Sequence, residues 1–307
     1  MSRKSFNRLL KNPAGAIAFG IVMLYLAIAV GVEIYDIYCE AHNIVPVYEI
    51  SSASQTHLPP GKNHWLGTDY QGRDVFFRAL AGCATAVKVG VISGIIAIVI
   101  GVTMGAVAGY RGGFADDSVV WTYSVFAAMP SLLFILAFAL LVSRGFLPPA
   151  AEKAVAAVAK ALRVEPGMLA VYAAIGLTGW VTLSRVVRAE TMKLKNLPFV
   201  EAAKVAGVSN TVIIIRHILP NVSHLVIIFF TLTFAGAVMS EVIVSYLGFG
   251  VQNFPSWGVM ISDGQEKLWR GVYWEIAGAT GFMFILVLAL NILGDALRDI
   301  FDPRGSR

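Results

Sequence analysis

Six long apolar stretches constrain the fold of this chain more than any other feature of the sequence. Each is about 20 residues long or slightly longer, which is the length that an α-helix needs to cross a bilayer. Hydrophobic residues make up 57% of the 307 residues and charged residues only 14%. We therefore predict an all-α polytopic membrane protein with six transmembrane helices. The predicted spans are residues 14–32, 84–108, 119–142, 167–187, 222–244 and 274–293.

The distribution of Lys and Arg predicts the orientation of these spans. With both termini in the cytoplasm, fourteen of the 24 basic residues lie inside and nine outside, the excess that cytoplasmic loops usually carry. The predicted order is a cytoplasmic N-terminus with the first span (1–32), an extracytoplasmic loop (33–83), a five-span core (84–297) and a cytoplasmic tail (298–307). The net charge of +5 does not indicate nucleic-acid binding, because no basic and aromatic residues cluster on a polar segment.

The polar segment between the fourth and fifth spans is predicted to form two short helices joined by a tight turn. Pro198 suits a first helical turn, where its missing N–H is not needed. Gly207 can adopt the left-handed conformation that ends a helix, and Ser209 can cap the next one. Pro220 is predicted to bend or end that second helix. Its apolar face is predicted from the spacing of Val212, Ile215, Ile218 and Leu219. An ordinary connecting loop is the alternative interpretation.

Two charged residues fall within or beside the predicted spans. Intramembrane charges are functional candidates by default, but both have structural alternatives. Lys88 lies near an outer helix end and is predicted to extend its ammonium group towards water, with a substrate role as the alternative. Glu241 is interfacial, so a structural and a functional role are equally compatible with its position.

The remaining features of the outer side and of the second span favour structural interpretations. Gly67, Asp69, Gly72 and Asp74 could suggest a cation loop, but their spacing does not match an EF-hand, which favours a structural turn. In the segment 143–166, residues 152–162 are Ala-rich and predicted to form a surface helix. The cysteines are predicted to be free thiols, although one bridge is possible: Cys39 and Cys83. Small residues on one face of the second span predict close helix packing, with a subunit interface as the alternative: Gly90, Gly94, Gly101, Gly105 and Gly109.

The sequence contains no motif for catalysis or for binding a metal or nucleotide. The pair Gly61–Lys62 lacks the preceding glycine of a P-loop, and no metalloprotease, nucleophile-elbow or cysteine-cluster pattern occurs. We therefore predict that the chain is not an enzyme, binds no metal or cofactor and does not hydrolyse nucleotide.

The order of residues in segment 190–221 resembles the EAA loop of ATP-binding-cassette (ABC) importer permeases. In that family the loop is the coupling helix that sits in a groove of the cytoplasmic ATPase. One departure is His217, which stands where the general pattern has Ile. The resemblance implies an ATPase-coupling role for Glu201, Ala202, Ala203, Gly207, His217, Leu219 and Pro220.

Two further segments resemble signatures of the C-type permeases of dipeptide and oligopeptide importers. They are residues 67–74 (GTDYQGRD) and residues 247–258 (LGFGVQNFPSWG), where Asn253 and Phe254 replace commoner residues. Residues 302–304 are also similar to the family, so the resemblance covers residues 64–303. The matching signature residues are Gly67, Thr68, Asp69, Gly72, Arg73, Asp74, Gly248, Gly250, Pro255, Ser256, Trp257 and Gly258.

The resemblance implies a C-type permease subunit of a peptide or related-solute importer in the bacterial inner membrane. It implies a six-helix bundle that pairs with a homologous B-type permease, two cytoplasmic ABC ATPases that bind ATP and Mg²⁺, and an extracytoplasmic solute-binding protein. Nickel-type and antimicrobial-peptide importers share these signatures, so the substrate stays open. A secondary transporter would need paired intramembrane charges or inverted repeats, and a membrane enzyme would need a catalytic group; neither is evident.

Overall fold

Eleven α-helices make up most of the chain described by the computed structural model, which covers residues 8–250 and 254–301. In this part of the chain the only strand-like pairing is a single bridge between Thr68 and Asp74. The helices are α1 Pro13–His42, α2 Val75–Arg111, α3 Gly113–Ala128, α4 Ser131–Ser143, α5 Pro149–Ala161, α6 Pro166–Leu194, α7 Pro198–Val205, α8 Asn210–Ile213, α9 Leu219–Tyr246, α10 Trp257–Gln265 and α11 Trp274–Phe301. A π-helical segment, Ile214–Ile218, joins α8 to α9.

Five helical runs are long and apolar enough to cross a membrane, namely α1, α2, α6, Asn210–Tyr246 and α11. The predicted third span is instead broken into α3 and α4, which meet at an angle of 90°. The break lies at Pro130. It is a sharp corner because the ring removes a backbone donor and restricts the preceding residue, Met129, to an extended conformation. If the bent pair crosses the membrane as one span, the predicted six spans are present.

The first two helices extend beyond their predicted ends. Helix α1 continues to His42, and α2 begins at Val75, so the prediction of a loop throughout residues 33–83 is wrong at both ends. Asp74 starts α2 by accepting hydrogen bonds from the backbone N–H groups of Phe76, at 2.9 Å, and Phe77, at 3.2 Å. Hydropathy marks the apolar part of a helix, whereas a polar cap like this one marks its physical end.

The glycines of α2 allow helices to pack closely, as predicted. An added Cβ at Gly105 would lie 2.6 Å from the carbonyl oxygen of Ser184, and one at Gly109 would lie 2.6 Å from that of Arg188. Both oxygens belong to the backbone of α6, so side chains at these positions would push the two helices apart. Towards the outer end of α2, Gly90 and Gly94 instead make room for aromatic rings of α9.

Charged side chains connect α1, α2 and the segment between α5 and α6. Lys88 of α2 pairs with Glu33 of α1 at 2.5 Å and donates to the carbonyl oxygen of Arg163 at 3.2 Å. Arg163 in turn pairs with Glu40 of α1 at 2.5 Å. Lys88 is therefore tied to protein partners, which differs from the predicted extension into water. The helix predicted over residues 152–162 is confirmed as α5.

Candidate functional site

The turn between α7 and α8 has the predicted geometry. Pro198 lies in the first turn of α7, and Gly207 has a φ of +76°. The N–H of Gly207 donates to the oxygen of Lys204 at 3.0 Å, and that of Val208 to the oxygen of Ala203 at 3.1 Å. These bonds close the end of α7 in the way that a left-handed glycine permits. A Cβ added at Gly207 would meet none of the described atoms within 4 Å, so conformation alone requires glycine here.

Two predictions about the second half of this segment are wrong. Ser209 occupies the N-cap position of α8, but its side chain makes no capping hydrogen bond to the described residues. Pro220 does not end the helix, because it lies in the first turn of α9, where a missing N–H is tolerated. The chain runs as one helical span from Asn210 to Tyr246. We call residues 198–218 the α7–α8 element, and it is directly continuous with α9.

The π-helical segment changes which side chains of the α7–α8 element are buried. Ile213 and Ile218 are fully buried, and their five-residue spacing is that of the i→i+5 hydrogen bonds of a π-helix. Val212 and Ile215, which the α-helical spacing placed on the buried face, are exposed instead. The predicted apolar face is therefore wrong except for Ile218 and the half-buried Leu219. The extra residue in the π-turn shifts the register of every side chain before it.

The α7–α8 element rests on the C-terminal ends of α2 and α6. Tyr110 of α2 donates its hydroxyl hydrogen to Asn210 Oδ1 at 3.1 Å, and the ammonium group of Lys204 lies 5.5 Å from the centre of the Tyr110 ring. A buried apolar cluster holds the rest together. Its members include Ala106, Leu183, Val187, Leu194, Val200, Ala203, Ile213, Ile218 and Val222.

The outer surface of the α7–α8 element is unusually apolar. Val205 is 90% exposed, Ile215 56% and Phe199 41%. Exposed apolar patches on a protein are typical of binding surfaces. The seven predicted coupling residues divide between this surface and its support. Glu201, Ala202, Gly207 and Pro220 are exposed, His217 and Leu219 are half-buried, and Ala203 is buried in the cluster below.

On the other side of the bundle, the first signature segment folds around the buried carboxylate of Asp69. Its Oδ2 accepts from Arg73 Nε at 2.7 Å and from Arg78 Nη1 at 2.6 Å. Its Oδ1 accepts from the backbone N–H groups of Gln71, at 2.8 Å, and Arg73, at 2.9 Å. Because protein donors occupy both oxygens, this loop is a structural turn, as predicted, and not a cation loop.

Other residues of this segment join the turn to its surroundings. Asp74 accepts from His64 Nδ1 at 2.7 Å as well as capping α2. The indole N–H of Trp274, at the start of α11, donates to the oxygen of Thr68 at 2.9 Å. Gly67 and Gly72 have positive φ values of +72° and +74°, which favour glycine. The motif is therefore explained by the geometry of one tight turn.

The second signature segment connects α9 and α10 to α2. Glu241 is buried, and its Oε1 accepts from the hydroxyl groups of Ser245, at 2.6 Å, and Ser256, at 2.8 Å. Trp257 donates its indole N–H to the oxygen of Ala79 at 2.9 Å. The oxygen of Pro255 accepts from Thr85 Oγ1 at 2.7 Å. The structural interpretation of Glu241 is thus supported.

Sequence reasoning missed that the end of this segment begins a helix, α10. Gly258 lies in the first turn of α10, and Gly248, with a φ of +81°, follows the end of α9. Gly250 lies against Ser245. Residues 251–253, which include the departure at Asn253, and residues 302–304 lie outside the described residues.

Sequence reasoning also missed two buried charges on this side. Arg78 lies in α2, and its Nη1 is 3.7 Å from Oε1 of Glu275 in the first turn of α11. Glu275 is 1% exposed. Arg78 was assigned to the outer loop because the apolar run starts later than the helix does. A useful signal would have been its position four residues after Asp74, the residue that caps the helix.

We find no centre for metal or redox chemistry in residues 8–250 and 254–301. No group of three or more His, Cys, Asp or Glu side chains is arranged to hold a metal ion there. Cys39 and Cys83 are both free and buried, as predicted. The candidate functional features are therefore the exposed α7–α8 element, at one end of α9, and the two signature segments, which lie towards its other end.

Comparison with known proteins finds a family model and several relatives that match most of the chain. The family model for the inner membrane component of binding-protein-dependent transport systems matches residues 101–307. The chain is 32% identical over 304 residues to a dipeptide transport system permease protein of Bacillus subtilis, covering 99% of this chain and 86% of the relative. It is 33% identical over 242 residues to an oligopeptide transport system permease protein of Escherichia coli strain K12, covering 78% and 72% respectively. An oligopeptide transport system permease protein of Bacillus subtilis is 29% identical over 298 residues, covering 97% of this chain and 88% of the relative.

Proposed function

The chain belongs to the family of inner membrane components of binding-protein-dependent transport systems, and we propose that it is a permease subunit of an ABC importer for dipeptides or oligopeptides. The chain is a multi-pass inner membrane protein, and the proposed orientation has both termini in the cytoplasm. The observation that carries the proposal is the α7–α8 element. It combines an exposed apolar surface with a continuous helical connection into the membrane.

The proposed partners follow from this assignment. A homologous B-type permease would complete the translocation path, two cytoplasmic ABC ATPases would bind the α7–α8 elements, and an extracytoplasmic binding protein would deliver the peptide. The names of the relatives, which are peptide transport permeases, support a peptide substrate. ATP and Mg²⁺ would bind to the ATPases, and this chain would bind no cofactor of its own.

The mechanism rests on how the α7–α8 element is mounted. Val205, Phe199 and Ile215 are placed to enter an apolar groove of an ATPase, since they are exposed on the element. The run from Asn210 to Tyr246 contains 37 residues, which is about 55 Å of helix at 1.5 Å per residue. A displacement of the element by the ATPase would therefore move α9 along its whole length. Ala203 and Leu219 would support the element, and Gly207 would set the angle between α7 and α8.

The partners of the complex provide the first test. We expect this chain, purified gently from its native membrane, to bring with it a second permease and one or two P-loop ATPases. In proteoliposomes, that complex and its binding protein should take up trialanine only when ATP is present. Recovery of the chain alone, active in transport without ATP, would contradict the proposal and favour a secondary transporter.

A pair of substitutions at Gly207 tests the coupling role directly. Gly207→Val forces a β-branched residue into a left-handed conformation, which costs about 1–2 kcal/mol and should deform the turn. We expect ATP hydrolysis to continue while peptide uptake falls strongly. Gly207→Asn is the matched control, because Asn tolerates this conformation and should retain most of the uptake. Normal uptake by Gly207→Val would exclude a coupling role for this turn.

A further inference from the structure

A cavity of about 350 Å³ lies between α4, α6 and α9, within the membrane-spanning part of the bundle. Helix α6 contributes Thr178, Gly179 and Thr182 to its wall, and α9 contributes Thr233, Gly236 and Ser240. The residues on each helix are one, three or four positions apart, so each set forms one helical face. We call the surface formed by these six residues the hydroxyl groove.

The hydroxyl groove differs from the faces that the chain turns towards lipid. The exposed side chains of α1 and α11 at comparable positions are large and apolar, as in Leu24, Phe284 and Leu288. The cavity also has apolar lining, but the six residues of the groove combine hydroxyl groups with glycines, and Thr182 and Gly236 are exposed in it. The apolar lining comes from Ile135, Ile175, Phe229, Leu232 and Ala237. A concave polar surface at membrane depth is stable where it borders water or protein, because hydrocarbon cannot satisfy polar groups. In the assembled transporter the groove is therefore expected to border either the partner permease or an aqueous path.

The chemistry of the hydroxyl groove is neutral. Among the described residues, no charged side chain lines the cavity. A hydroxyl group can donate one hydrogen bond and accept two. Thr178 donates to the oxygen of Ile175 at 3.0 Å, which leaves its acceptor sites available. Peptide main chain offers one N–H and one C=O per residue, and these groups match neutral hydroxyls whatever the charge of the peptide's side chains.

We propose that the hydroxyl groove is the part of the translocation path that binds the main chain of the transported peptide. This inference rests on the proposed function and specifies how substrate is recognised within the membrane. Its volume lies within the range of roughly 300–1,000 Å³ that is usual for ligand pockets. An added Cβ at Gly236 would meet none of the described atoms within 4 Å, so this position leaves room for peptide side chains of different sizes.

The position of the hydroxyl groove connects it to the α7–α8 element. Its two main walls, α6 and α9, are the helices that enter and leave that element. They approach each other at the groove itself, where a Cβ at Gly179 would lie 3.4 Å from the methyl group of Thr233. A movement of the element therefore shifts these walls relative to each other and changes the width of the groove.

Cysteine accessibility tests whether the hydroxyl groove lines a path. Thr182→Cys and Ser240→Cys are compared with Val99→Cys and Leu288→Cys, which replace exposed apolar side chains on α2 and α11. The full complex is placed in proteoliposomes and treated with a membrane-impermeant thiol reagent. The unmodified chain gives the background from the buried Cys39 and Cys83. We expect labelling of the two groove cysteines only, and protection when trialanine and binding protein are present. Labelling equal to that of the controls, or labelling without protection, would overturn the proposal.

Substitution of a single hydroxyl tests the chemistry of recognition. Thr233→Val removes one hydrogen-bonding group, worth about 0.5–1.5 kcal/mol, so KM should rise about two- to tenfold. The rise should be the same for trialanine, Ala-Lys-Ala and Ala-Glu-Ala, and Thr233→Ser should restore the original KM. A rise confined to one charged peptide, or no rise at all, would contradict main-chain recognition. Absence of ATP-dependent uptake in the unmodified complex would instead contradict the proposed function, and the labelling pattern would still report whether the groove is aqueous.

Discussion

The α7–α8 element and the outer signature segments lie at opposite ends of α9, and they are built on opposite principles. The element leaves apolar side chains in contact with solvent, as at Val205 and Ile215. The signature segments bury charged groups instead, and Asp69 and Glu241 each receive hydrogen bonds from at least two protein donors. The element leaves apolar surface exposed to solvent, whereas the signature segments provide hydrogen-bond partners for their buried carboxylates.

This difference separates a surface that serves a partner from one that serves the chain itself. Exposed apolar area contributes favourable free energy only when another protein covers it and removes it from water. Buried ion pairs with several hydrogen bonds contribute a defined geometry, and losing one partner is costly. We therefore expect damage to the signature segments to appear as loss of folding, and damage to the exposed part of the α7–α8 element to appear as loss of assembly.

Asp69→Ala should have the largest effect on stability. It leaves Arg73 and Arg78 without their shared carboxylate, and removing one partner of a buried ion pair typically costs about 3–5 kcal/mol. Reversible unfolding in mixed micelles measures the loss. Glu190→Ala is the control, since its partner Lys193 is 73% exposed, and it should change stability little. If Asp69→Ala is as stable as this control, Glu275 is sufficient to hold Arg78 and the turn around Asp69 does not fasten the outer end.

A pair of isoleucines separates support from surface within the α7–α8 element. Ile218→Ala removes a fully buried side chain and should lower the free energy of unfolding by about 2–5 kcal/mol. Ile215→Ala removes one that is 56% exposed and should change stability little, while weakening recovery of the ATPase in co-purification. Equal loss of stability in both variants would mean that the π-helical register is wrong. Unchanged ATPase recovery with Ile215→Ala would place the partner surface elsewhere.

The sequence was sufficient to predict five apolar spans that are single helical runs and the turn at Gly207. Hydropathy reports where a helix meets lipid, so the ends of α1 and α2 were missed because they extend into water. The same limit hid Arg78, which belongs to a helix that starts before its apolar part. The length and spacing of apolar residues predicted a helix end correctly only where the helical hydrogen bonding and the hydrophobic run end at the same residue.

Two other features depend on information that a linear pattern does not contain. The π-helical turn at Ile214–Ile218 adds one residue to a helical repeat, and apolar residues on both sides of it hide the change of register. Arg78 and Glu275 are brought together only when α2 and α11 pack. The sequence showed each residue separately but provided no reason to pair them. The EAA-like order of residues falls on the α7–α8 element but does not reveal which side chains that element exposes.

The smallest expected effect concerns Asp263 of α10, which lies beside the first signature turn. Burial raises the pKa of Asp263, against the lowering influence of Arg78 and Arg73. A carboxyl group with a raised pKa in the folded state destabilises the fold when it is ionised, and it has no such effect once both states are protonated. Asp263→Asn should therefore stabilise the protein slightly at pH 8. The gain should disappear as the pH falls below about 3.9, the ordinary value for Asp.

Unfolding at several pH values, with Glu266→Gln as the exposed control, measures this gain. If Asp263→Asn is instead destabilising at pH 8, the two arginines hold Asp263 as an ionised partner. The charged contacts around Arg78 would then include α10 as well, through a third carboxylate. That outcome would strengthen the contrast with the α7–α8 element. Charged groups would join the helices around Arg78, whereas apolar packing supports the α7–α8 element.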